Sequence, residues 1–218
     1  AEPSKYSISM MEGTLDAEKP NLVVFTGDIV VNKPTKQGWD EVLDVVIKRN
    51  IPYVVTLGNH DDEKDMNRKE VADYIVSKKL LVNNKVVIAG VDGVLNAAIT
   101  IKGKDNAASE IIYAMDSHAY SKKKKKKGYD WFKQNQVEWF AKTSAKMKQT
   151  HKDTLPALAF FHIPLPEYTY AFNDVKNAMS ADQKSATLTS LTDKTDWVWV
   201  YKQGEDWKKR GIYGLEKW

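Results

Sequence analysis

Leu22-Val23-Val24-Phe25-Thr26-Gly27-Asp28 and, further along the chain, Tyr53-Val54-Val55-Thr56-Leu57-Gly58-Asn59-His60-Asp61 decide the fold. Each stretch starts as a short apolar run rich in β-branched residues, which suits a strand buried on both faces. Each then runs into glycine and polar side chains. Between them Trp39, Val42, Leu43, Val46 and Ile47 recur at helical spacing until Asn50-Ile51-Pro52 breaks the pattern. Two such strands joined through a helix make a βαβ crossover in a largely parallel sheet, where ligands gather outside the carboxyl ends of the strands. Both polar clusters fall there.

Upstream, Met10 to Glu18 has a helical pattern that Lys19-Pro20 stops, since proline disfavours helical geometry in the residue before it. Downstream, a helix is expected around Lys69 to Ser77. Strands are expected at Val86 to Ala89, Ala97 to Ile101 and Ile111 to Met115, with Gly90, Gly93 and Gly103 marking turns. These strands imply a second sheet or an antiparallel extension. Tyr129 to Lys148 returns to a helix, with Trp131, Phe132, Val137, Trp139 and Phe140 as its expected buried aromatics and aliphatics. Leu158-Ala159-Phe160-Phe161 then forms another buried strand ending at His162. Beyond Asn177 a polar Ser/Thr/Lys stretch leads to Trp197-Val198-Trp199-Val200-Tyr201 and a Gly204 turn, a terminal hairpin or strand pair whose tryptophans serve packing. The class is α/β, with 1–218 expected as a single domain.

At 218 residues, the chain is long enough to bury one sizeable core. Apolar residues at 42% and charged residues at 28% exclude a disordered chain, and no apolar run reaches transmembrane length. Much of the net charge of +4 sits in Lys122 to Lys127. Such a run of like charges forms a solvated loop, and with no nucleic-acid motif beside it no nucleic-acid partner is expected. With no cysteine, a disulfide scaffold and a thiolate metal site are excluded. The start at Ala1-Glu2-Pro3-Ser4 would suit a secreted or periplasmic protein after signal removal, and a trimmed chain equally well.

A carboxylate, an amide oxygen and an imidazole at neighbouring strand ends can converge on a divalent cation, and Asp28, Asn59 and His162 supply those donors. Taken singly they are ordinary: Gly-Asp is a common turn, Asn-His can cap a helix, and a lone histidine is more often structural. Their joint order and strand context carry the weight. Val24-Phe25-Thr26-Gly27-Asp28, Leu57-Gly58-Asn59-His60-Asp61 and Phe160-Phe161-His162-Ile163-Pro164 resemble the Gly-Asp, Gly-Asn-His-Asp/Glu and His blocks of calcineurin-like metallophosphoesterases. The resemblance spans about Leu15 to Asn177. The phrases at Asp116-Ser117-His118, Gly128-Tyr129-Asp130-Trp131 and His162-Ile163-Pro164-Leu165-Pro166 are most similar to bacterial and fungal phosphohydrolases allied to purple acid phosphatases.

The resemblance implies an αββα sandwich, whole or in part, and a dinuclear divalent metal centre that hydrolyses phosphate esters with a metal-activated hydroxide. It implies that Asp28 bridges the two metals and that Asn59 and His162 bind the second. His60 would protonate the leaving alkoxide, and Asp61 would orient that imidazole. The family's opening Asp-x-His and closing Gly-His-x-His blocks are absent, since no histidine precedes His60 and none follows His162. The residues present therefore supply one metal site and the bridging carboxylate of the other. Where purple acid phosphatases carry a tyrosine this chain has Val31, so zinc, manganese or ferrous iron is expected instead of a purple iron centre. Asp116 and His118 are spaced as a possible ligand pair, with a strand-end hydrogen-bonding role preferred. His151 is expected to face solvent in a polar loop, Glu167 and Tyr168 lie where they could touch substrate, and Asp174 is a further acidic candidate. Two functions follow: a metal-dependent phosphomonoesterase or phosphodiesterase, or a non-catalytic relative that binds at most one metal or phosphate.

Overall fold

The computed structural model describes residues 2–123, 127–165, 168, 185–189 and 198–202. The chain divides into two compact units, 1–163 and 164–218.

The first unit opens on α1 (Glu2–Glu18), which begins earlier than its apolar pattern suggests and stops where Lys19 turns to positive φ. β1 (Val23–Phe25) and β2 (Tyr53–Val55) then pair in parallel, Val24 opposite Val54, across α2 (Thr35–Lys48). This is the expected crossover. α3 (Arg68–Val76) starts from a capping box in which Asn67 accepts from the Lys69 and Glu70 N–H groups while Glu70 reaches back to the Asn67 N–H. The second sheet has the order β3-β4-β5, with β3 (Ala97–Lys102) antiparallel to β4 (Ala108–Ala114) and β5 (Ala157–Phe160) parallel to β4. α4 (Gln134–His151) precedes β5. Two sheets flanked by helices make this an α/β fold. In the second unit β6 (Ser185–Thr189) pairs antiparallel with β7 (Val198–Lys202). The strand at Val198 thus finds its partner upstream, and Gly204 lies outside the described residues. No helix among the described residues is long and apolar enough to cross a membrane.

The main core joins α1, α2, α3 and the β1-β2 pair around Trp39, Leu43, Val46, Tyr53, Val55, Leu57, Val71 and Ile75. Trp39, Val46, Tyr53 and Val55 are fully buried. A smaller cluster sets Ile111, Tyr113 and Met115 of the second sheet against Phe132, Trp139, Phe140 and Met147.

Three local expectations are corrected. Val86 to Ala89 is not a strand: only Ile88 bridges Val91, around a turn at Gly90, and Val87 is exposed. Trp131 and Phe132 precede α4, and Val137 faces solvent, so the buried stripe of that helix is narrower than its apolar content suggests. β5 stops at Phe160 and among the described residues pairs with β4 alone, with Leu158 57% exposed. A continuous apolar run does not distinguish an edge strand from a central one.

Asn83 closes the open flank of β2, accepting from the Val55 N–H and donating to the Val55 and Leu95 carbonyls. Its side chain supplies the partners of three buried backbone groups. Asn83→Ala is therefore expected to cost about 2–4 kcal/mol, since unpaired buried polar groups carry their full desolvation penalty. Urea unfolding measures it.

Candidate active site

Past β1 and β2 the chain turns through two loops that touch at glycines. A side chain on Gly27 would place its Cβ 2.5 Å from the Gly58 nitrogen and 2.6 Å from His162 Nδ1, and one on Gly58 would lie 2.1 Å from Asp28 Oδ1. The Thr56 N–H donates to the Phe25 carbonyl at 2.8 Å, extending the pairing one step beyond the strands. Asp28 is left at φ 55°, a left-handed conformation that side chains rarely adopt. At such close approach the two polar clusters form one surface.

On it Asp28, Asn59 and His162 meet. His162 Nε2 lies 3.2 Å from Asn59 Oδ1 and 3.2 Å from Asp28 Oδ2. The other ring nitrogen, Nδ1, is 2.9 Å from the Thr26 carbonyl, which can only accept, so Nδ1 carries the hydrogen. Nε2 then turns its lone pair, or a second proton, toward two oxygen acceptors. Three such polar atoms facing one point can be satisfied by a proton on Nε2 or by a cation between them. Their spacing is that of neighbouring ligands on one small divalent ion, about 3.0–3.4 Å for bonds near 2.1 Å. The donor set fits one such ion. It is short of a full shell: among the described residues no group of three or more His, Cys, Asp or Glu is placed to hold a metal ion.

His60 stands beside this trio. Its backbone N–H donates to Asp28 Oδ1 at 2.9 Å, and its ring Nδ1 is 2.7 Å from Glu63 Oε2, with the side chain 43% exposed. The Glu63 hydrogen bond raises the imidazole above its ordinary pKa, and the Asp28 charge adds to it against partial desolvation. The expected role of Asp61 is corrected here. Its carboxylate does not orient His60; it accepts the backbone N–H groups of Asp28, Ile29, Val30 and Gly58 at 2.7–2.9 Å. Glu63, which the motif did not single out, is the partner of the imidazole.

Beneath the Gly58-to-Asp62 loop lies Arg68, equally unmarked by any motif. Its guanidinium donates to the Leu57 and Gly58 carbonyls, to Asp62 and to both oxygens of Asp116. Asp116, 1% exposed, also accepts from the Val94 and His118 N–H groups. Gln136 completes the layer, donating to the Asp116 carbonyl and lying 2.8 Å from His118 Nε2. Asp116 and His118 thus act as strand-end hydrogen-bonding groups. His151, expected in a loop, is the last residue of α4 and half-buried, Tyr168 is exposed, and Glu167 and Asp174 lie outside the described residues. The capping box at Asn67 marks where α3 starts, yet nothing in the sequence shows that the next side chain turns back under the loop.

Burial pushes the Asp116 carboxyl up, but the hydrogen bonds and charge of Arg68 outweigh it and hold the group below the usual carboxylate range. A folded-state carboxyl below its unfolded value adds stability above a pH of about 4 and loses it as the pH falls through the folded value. Arg68→Met leaves Asp116 buried without a counter-charge and is expected to cost about 3–5 kcal/mol near neutral pH. The deficit narrows as acid protonates Asp116, which urea unfolding at about pH 7 and about pH 3.5 compares.

The calcineurin-like phosphoesterase family model matches residues 6–188. "Probable inactive purple acid phosphatase 29" of Arabidopsis thaliana is 32% identical over 213 residues, covering 89% of this chain and 54% of that protein. "Probable inactive purple acid phosphatase 14" of the same plant is 29% identical over 221 residues, covering 90% and 54%. "Phosphatase DCR2" of Saccharomyces cerevisiae is 35% identical over 220 residues, covering 95% of this chain and 35% of that protein. The chain thus spans about half the length of the plant relatives and about a third of the yeast one. No solved structure matches it.

Proposed function

The chain belongs to the calcineurin-like phosphoesterase family, and on that premise we propose that it hydrolyses phosphate esters with a divalent metal held by Asp28, Asn59 and His162. The observation that supports this most is the convergence of His162 Nε2, Asn59 Oδ1 and Asp28 Oδ2 at 3.2 Å. Zinc, manganese or ferrous iron bound there would polarise the phosphoryl oxygens and supply hydroxide near neutral pH.

The chain's own residues divide the remaining work. Thr26 fixes the His162 ring so that Nε2 faces the donors of Asp28 and Asn59. His60 lies on the exposed side, where a leaving alkoxide would depart, and donates its proton there. Glu63 favours the imidazolium that such a donor must be at the start of the step. Asp61 holds the two loops together and takes no part in proton transfer. We treat 1–218 as one metallophosphoesterase-like domain.

A second reading keeps the framework without turnover, with at most one metal or a phosphate bound. It draws support from the incomplete ligand shell among the described residues and from relatives whose names carry the word inactive. Metal content and rate separate the two. The manganese-loaded chain is expected to hydrolyse an activated aryl phosphate, and His60→Ala to lower kcat by about a hundred- to ten-thousandfold with metal per chain and melting temperature unchanged. Metal uptake without hydrolysis would establish the second reading, and hydrolysis at a rate indifferent to His60 would overturn the proton-donating role of that residue.

A further inference from the structure

Lys122 to Lys127 is a charged run to which the proposed chemistry gives no part. Without those six lysines the net charge of +4 would turn negative, so the whole positive excess of the chain lies between Tyr120 and Tyr129. We propose that Lys122, Lys123 and Lys127 form an anion-receiving rim beside Asp28, Asn59 and His162, which selects phosphate esters whose leaving group carries further negative charge. The inference rests on the reading above that those three residues seat the phosphoryl group through a metal, and it names the class of ester.

The hairpin that carries the lysines is rooted at the site. Asn59 Nδ2 donates to the Tyr120 hydroxyl at 2.7 Å, and the Tyr120 ring meets the His60 ring edge-on with centroids 6.3 Å apart. Tyr120 is bridged to Tyr129 across the hairpin, and their rings stack with centroids 5.8 Å apart and planes at 20°. The Ser121 N–H donates to the Gly128 carbonyl at 2.9 Å, and the Asp130 N–H to the Ala119 carbonyl at 3.0 Å. Both arms are thus fixed where they leave the site. Lys122 and Lys127 come next on the two arms, each two residues from a bridged tyrosine and so at most about 7.6 Å from it along the backbone.

Their charge is available to a ligand. Lys122, Lys123 and Lys127 are exposed, and among the described residues neither Lys122 nor Lys127 forms an ion pair. The Lys123 ammonium lies over the Trp131 ring, 5.3 Å from its centroid, a contact that keeps it charged. No acidic residue occurs between Tyr120 and Tyr129, and the carboxylates of Asp130 and Glu63 are already paired with Lys133 and His60. Consecutive like charges repel one another, and an approaching anion relieves that repulsion. The Tyr120 side chain separates the lysine backbones from Asn59, so this charge falls on the outer part of an ester and not on a phosphoryl group at the trio. Exposed charges at this range are screened over about 10 Å at 0.1 M salt, which makes the attraction salt-dependent.

The test is calorimetric binding to the manganese-loaded full 218-residue chain carrying His60→Ala, the change expected above to slow turnover and keep the metal. Nitrophenyl phosphate is compared with a pyrenetrisulfonate phosphate, whose sulfonates add charge and hold metal weakly. In dilute salt the sulfonated ester is expected to bind about tenfold tighter, the lower end of what a charged cleft provides, and inorganic phosphate to displace both. Adding Lys122→Gln, Lys123→Gln and Lys127→Gln together should remove most of that preference and leave nitrophenyl phosphate binding nearly unchanged. Arginine at the same three positions should restore it. A glutamine variant that keeps the preference, or that loses affinity for both esters alike, would overturn the rim while leaving the proposed function intact. A sulfonated ester that inorganic phosphate fails to displace would overturn it too, by placing the anion on the lysines alone. The expected binding, found together with no hydrolysis of either ester by the chain with His60 intact, would support the rim and overturn the proposed turnover. A chain that binds neither ester would overturn both.

Discussion

Four backbone N–H groups from two loops converge on the carboxylate of Asp61, and the geometry of the site depends on that convergence. The loops after β1 and β2 carry Asp28 and Asn59, residues far apart in sequence and useful only side by side. Loop backbone at a strand end has donors without ladder partners, and left buried they would be costly. One ionised carboxylate satisfies them together, each bond of the stronger, charge-assisted kind. It also holds Asp28 in its left-handed conformation, a position a free loop would not keep.

Arg68 performs the complementary task from below. The Leu57 and Gly58 carbonyls point away from Asp61 and need donors, which the guanidinium provides in a fixed fork. Burying that cation requires an anion, and Asp116 at the end of β4 supplies it. Because β4 belongs to the second sheet and β2 to the first, this ion pair also registers the two sheets against each other. Asp28, Asn59 and His162 thus sit above a layer of opposite charges paired with each other within the protein.

The βαβ unit was legible in the sequence because two β-branched runs around a helical period admit few other folds, and the meeting of Asp28, Asn59 and His162 followed from their places at strand ends. Asp61 was singled out through the resemblance, which implied an orienting role toward His60, whereas an acidic residue three positions after Gly58 can fold back onto the loop itself. Glu63, Arg68 and Tyr120 carry no signal, since their contacts depend on where loops cross in space. Val86 to Ala89 and Leu158 to Phe161 misled for a shared reason. Apolar content says nothing about whether a run finds a partner strand or, among the described residues, how many.

The demand that Gly27, Gly58 and Asp61 meet is a demand of folding, made before any ion or ester arrives. A lineage in which turnover ceased would still be held to those three residues, because replacing any of them breaks the contact between the loops. No such obligation falls on the imidazole of His60, which stands 43% exposed and meets Glu63 at the surface without joining the two loops. The signature Gly-Asn-His-Asp therefore mixes two kinds of information: its glycine and its acid answer to folding, while its asparagine and histidine answer to the chemistry proposed for the site.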